Sequence, residues 1–77
     1  MLDLNLERES FIQGKIEGWS PRTVYKLGDG TKWKLVRPKV QNFKRNNARV
    51  KLYMDEDEHY YMEIVGIAGK VAVSQIM

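Results

Sequence analysis

Residues 23–36 read Thr-Val-Tyr-Lys-Leu-Gly-Asp-Gly-Thr-Lys-Trp-Lys-Leu-Val, two alternating runs either side of a Gly-Asp-Gly turn. The register across that turn decides what each face of the chain can be, because a slip of one residue exchanges the two faces of a strand. A two-residue turn at Asp29-Gly30 would set Leu27 against Lys32 and Tyr25 against Lys34, mixing cations into the apolar face. A three-residue loop over Gly28-Asp29-Gly30, with Gly30 left-handed, sets Leu27 against Thr31, Tyr25 against Trp33 and Thr23 against Leu35. This second register separates the faces. Tyr25, Leu27, Trp33 and Leu35 form one, and Arg22, Lys26, Lys32 and Lys34 form the other, relieved by Val24 and Val36. It also sets Lys26 opposite Lys32, a like-charge pair that an anion would relieve.

Around this hairpin the pattern stays extended. Leu2, Leu4 and Leu6 alternate with Asp3, Asn5 and Glu7, so residues 1–9 read as an N-terminal arm or edge strand, with a single helical turn as the competing form. Such an arm pairs with a neighbouring subunit or covers its own barrel's open edge. Residues 10–17 form a strand with Ile12 and Ile16 on one face and Gly14 at a bulge or close approach. Pro21 makes Gly18-Trp19-Ser20-Pro21 a loop, from which Trp19 either folds back to lid the core or stacks on a base. Pro38 ends its strand or keeps it at an edge, and residues 43–47 read as a turn-rich linker. Residues 48–54 and 60–65 pair core to core across the five-residue loop 55–59, which sets Leu52 against Met62, Lys51 against Glu63 and Tyr53 against Tyr61. Gly66-Ile67-Ala68-Gly69 is a second tight connection. In residues 71–76 Val71 and Val73 compete with Ala72 and Ile76, so alternation leaves that register open. The expectation is an all-β chain, a small five-stranded antiparallel barrel of the SH3-like or OB-like kind, with one domain over residues 10–77.

At Gly18-Trp19, Thr23-Val24-Tyr25-Lys26-Leu27, Asp29-Gly30 and Trp33 the chain resembles a small bacterial β-domain family of unknown function. In that family a Gly-Trp, a Thr-Val-aromatic-x-Leu strand, an Asn/Asp-Gly turn and a strand Trp follow in this order. The resemblance spans about residues 12–36. It implies a bacterial β-barrel and no activity, and short domains of this kind also occur on mobile elements such as integron cassettes.

Composition narrows the chemistry. Cysteine is absent, which removes disulfides, cysteine-ligated metal and thiol catalysis. The acidic run Asp55-Glu56-Asp57-Glu58 lacks the spacing of a calcium loop and reads as a solvated hairpin tip. His59 is the one histidine and has no assembled catalytic partners in sequence, so neither an enzyme nor a cofactor is expected. The first residues lack the basic and apolar regions of a signal peptide and no stretch is long enough for a membrane helix, from which a cytoplasmic location is expected.

Charge is where the chain is distinctive. Residues 22–51 hold ten Lys or Arg against one Asp, a net +9, while residues 52–77 carry −4. Clustered cations at a pI near 9.3 are the electrostatic pattern of nucleic-acid binders, although surface lysines also serve solubility and block edge pairing. Two readings stand nearly level. In the first, Lys26, Lys32, Lys34, Arg37, Lys39, Lys44, Arg45 and Arg49 contact phosphates while Trp19, Phe43 or Tyr53 stacks on bases. In the second, the hairpin with Val24, Val36 and the leucine arm is an interface, to an acidic protein or to another copy whose acidic tip meets the basic middle.

Overall fold

The computed structural model, which describes residues 4–76, adopts the three-residue turn. Tyr25 lies opposite Trp33 and Lys26 opposite Lys32, the Leu27 N–H donates to Thr31 O at 2.9 Å, and Gly30 has φ of +90°. Among the described residues there are eight strands: β1 (Asn5–Phe11), β2 (Lys15–Trp19), β3 (Tyr25–Lys26), β4 (Lys32–Leu35), β5 (Gln41–Asn46), β6 (Arg49–Met54), β7 (Tyr60–Ile64) and β8 (Val71–Gln75). Six form an antiparallel sheet in the order β1-β6-β7-β8-β4-β3, and β2 pairs with β5. No helix is present among the described residues.

Eight strands instead of five is a correction, of which two stretches are the main sources. The N-terminal stretch takes its edge-strand form from Asn5, paired along β6 from Asn5↔Met54 to Phe11↔Arg49. Leu2 of the expected arm lies outside the described residues. The second source is residues 43–47, expected as a linker, most of which belong to β5. Here β1–β2 and β5–β6 run as one antiparallel ribbon with a corner at Gly14 and Asn47, whose φ angles are +84° and +51°. The corner is held both ways: the Asn47 N–H donates to Gly14 O and the Gly14 N–H donates to Asn47 Oδ1, each at 2.9 Å. Asparagine is among the few side chains that enter the left-handed region readily, and its amide here replaces a ladder bond.

The six-stranded sheet curls into a half-barrel around an apolar core. Ile12, Tyr25, Leu27, Trp33, Val50, Leu52, Met62 and Ile64 are its most buried members. The Trp33 ring stands edge-on to Tyr60 at 5.0 Å, a favourable aromatic arrangement. At one end the sheet's edges meet: Gly28 N–H donates to Phe11 O at 2.9 Å, Gln13 N–H to Lys26 O at 2.7 Å, and Arg8 pairs with Asp29 at 2.8 Å. The β6–β7 hairpin has the expected register, Leu52↔Met62, Lys51↔Glu63 and Tyr53↔Tyr61. The Glu63 carboxylate reaches Lys70 at 3.5 Å, however, and makes no ion pair with Lys51. In β8 the open register resolves with Val71 and Val73 inward.

Candidate nucleic-acid interface

With Val50, Leu52, Met62, Ile64, Val71 and Val73 turned into the core, alternation turns their neighbours outward. Pairings then line up one row across the whole outer face. Leu6 lies opposite Tyr53, Tyr53 opposite Tyr61, Tyr61 opposite Ala72, and Ala72 O accepts the Val36 N–H at 2.9 Å. Side chains directly opposite in a sheet are near neighbours, so Tyr53 and Tyr61 form a two-ring outward pair.

Cations surround that pair. The Lys70 ammonium stands 5.0 Å from the Tyr53 ring centroid and 3.5 Å from Glu63 Oε2, while the Tyr53 hydroxyl donates to Glu63 Oε1 at 3.2 Å. Arg37, Lys39 and Lys70 line one groove with Tyr61 and Ala72. Among the described residues no carboxylate lies within ion-pair distance of Arg37 or Lys39. Tyr61 is fixed at its other end, where its hydroxyl donates to Asp55 Oδ2 at 3.2 Å. Desolvation and the adjacent Asp55 carboxylate push the Tyr61 phenol up, so it stays neutral and a donor.

The nine residues singled out from sequence do not form one patch. Arg37 and Lys39 join the tyrosine groove. Lys26 and Lys32 face each other on β3 and β4, and Lys34 lies opposite Ser74. Lys44 and Arg45 gather with Lys15 on the β2–β5 ribbon, and Arg49 sits opposite Phe11 on β6. Trp19, 4% exposed, is inside, edge-on to Tyr25 at 5.2 Å and to Phe43 at 5.8 Å. It takes the lid position and offers no ring face to a ligand. Sequence reasoning passed over Tyr61 and Lys70. The Tyr53–Tyr61 opposition was available from the five-residue loop, whereas Lys70 depended on the β8 register.

The acidic tip is more ordered than a solvated loop. Asp55 is 6% exposed, and its Oδ1 accepts the N–H groups of Asp57 and His59, both at 2.9 Å. The His59 N–H is the main reason its carboxyl titrates below the usual range, against the opposing effect of desolvation. The Asp55, Asp57 and His59 ligand atoms come within 4.8 Å of one another. Both Asp55 oxygens are already committed to turn N–H groups and Tyr61, so the cluster is a turn staple that carries Tyr61.

Comparison with family models, with curated proteins and with solved structures yields no match to this chain.

Proposed function

We propose that this chain is a non-enzymatic binding module, a barrel of the SH3-like or OB-like kind, that holds single-stranded nucleic acid on the outer face of its six-stranded sheet. The observation that carries this is the outward Tyr53–Tyr61 pair with Arg37, Lys39 and Lys70 beside it. Rings stack on bases irrespective of sequence while cations hold the backbone, a combination suited to weakly selective binding of single strands. The hairpin lysines Lys26, Lys32 and Lys34 then act at longer range, drawing in a polyanion rather than seating it.

Fluorescence anisotropy of a labelled 12-mer of deoxythymidine tests this. Replacing Tyr61 by Ala removes one stacked ring, worth about 1–3 kcal/mol, or roughly 5- to 150-fold in affinity. Tyr61→Phe keeps the ring, loses only the Asp55 hydrogen bond and retains binding. Equal affinity of wild type and Tyr61→Ala would remove stacking. Inorganic polyphosphate binding as tightly as the 12-mer would reduce the site to a polyanion patch.

A second reading has its own observation. Leu6 and Val36, at the two ends of the row, are 50% and 58% exposed, and β1 is an edge strand. Those features suit a self-assembling or protein-binding surface, with the acidic tip of one copy against the cations of another. Light scattering after size exclusion separates the two: a defined oligomer, unchanged by oligonucleotide, favours assembly.

A further inference from the structure

The groove beside Tyr61 holds three cations, one of which, Lys70, reaches the Glu63 carboxylate at 3.5 Å. A methyl group placed on Gly69 would lie 3.5 Å from the Lys39 ammonium nitrogen, so Lys39 packs its charge against the backbone immediately before Lys70. Two ammonium groups and a guanidinium thus share one groove. Lys70 alone has a counter-charge, and it holds that one at 3.5 Å through a side chain that is one-third exposed. Exposed pairs of this length are weak and exchange readily, whereas a phosphate oxygen offers a short, charge-assisted acceptor.

The position of Lys70 has a second effect. Its ammonium stands over the Tyr53 ring, 5.0 Å from the centroid, and so covers one ring face. Bringing Lys70 onto a phosphate would therefore release Glu63 and uncover Tyr53 together. We propose that Arg37, Lys39 and Lys70 form a binding site for one backbone phosphodiester of a single strand, and that Lys70 moves from Glu63 and Tyr53 onto that phosphate as a base takes its place on the ring. This rests on the nucleic-acid reading above and deepens it. The ligand class is an unpaired strand, because duplex bases are stacked on one another and offer no free face to Tyr53 and Tyr61.

Glu63 then acts as an internal competitor. Glu63→Gln raises affinity for the deoxythymidine 12-mer several-fold. Glu9→Gln, which removes one negative charge at the position opposite Lys51, raises it less. Lys70→Gln lowers the magnitude of the logarithmic salt slope by about 0.7, the value for one single-strand phosphate contact. In proton NMR the Lys70 ε-methylene signals, shifted upfield by the Tyr53 ring in the free protein, return to their ordinary position on saturation with the 12-mer. Equal gains for Glu63→Gln and Glu9→Gln, a salt slope unmoved by Lys70→Gln, or Lys70 signals unmoved while the β6 and β7 amides shift would each overturn the proposal and leave the nucleic-acid reading intact. Absence of binding by the wild-type chain would overturn both.

Discussion

Asp55 lies in a run of four acids, yet alone of them it is buried, and its environment ties stability to pH. Its carboxylate is stabilised in the folded chain by the His59 N–H and by Asp57 N–H and Tyr61 OH, so its folded pKa lies below the unfolded value. The stability it contributes is fully present above the unfolded carboxyl pKa of about 3.9 and is lost as pH falls through the lower folded value. Asp29 adds to this in the same direction: desolvation raises its carboxyl, but hydrogen bonds from Thr31 and Arg8 and the Arg8 charge outweigh it. Thermal melts from pH 7 to pH 2 are expected to show a steeper acid loss for wild type than for Asp55→Asn. Tyr25 ties β3 to the end of β2, accepting the Ser20 N–H at 2.8 Å and donating to Gly18 O at 3.2 Å. Tyr25→Phe is expected to lower stability by about 0.5–1.5 kcal/mol in urea titration. Neither role was legible from the residues themselves. Which carboxylate in an acidic run turns inward is settled by the hairpin that follows, and Tyr25 looked like any other core-face aromatic.

Among the elements, the two hairpins were the legible part. Strict alternation on both sides of a short loop leaves few registers that keep core with core, and both Tyr25↔Trp33 and Leu52↔Met62 follow from that constraint. The β5 side of the ribbon was not legible, because Lys44, Arg45, Asn46 and Asn47 are all exposed and show no alternation, and Phe43, packed on Trp19, is the one apolar residue of β5. The ribbon depends instead on a close backbone approach. Gly18 has φ of +131°, and a Cβ there would collide with the Gln41 carbonyl oxygen. Gly18→Ala is therefore expected to cost more in denaturant unfolding than the roughly 1–3 kcal/mol of backbone strain alone, whereas Gly66→Ala, with the same sign of φ and open space around it, loses only through that strain. Equal costs at the two positions would mean that the ribbon tolerates a wider separation.

For the molecule as a whole, the sequence located the charge but not the surface that would use it. The net +9 of residues 22–51 is distributed by the fold over the β3–β4 edge, the β2–β5 ribbon, the Arg49–Phe11 pair and the tyrosine groove, and the last sets cations beside two outward rings. That convergence needs β4, β7 and β8 side by side, a strand order which no local pattern encodes. If the groove seats the ligand and the outlying lysines only attract it, Lys26→Glu with Lys32→Glu slows association more than it speeds dissociation in stopped-flow measurements. The most direct measurement is a map of backbone amide shifts in a 15N-labelled sample titrated with an eight-residue deoxythymidine strand. The largest shifts are expected on β6, β7 and β8 and at residues 37–39 and 70, the surroundings of Tyr53 and Tyr61. Shifts confined to Lys26 and Lys32 or to the ribbon, or no shifts at all, would contradict a nucleic-acid site on the outer face of this sheet.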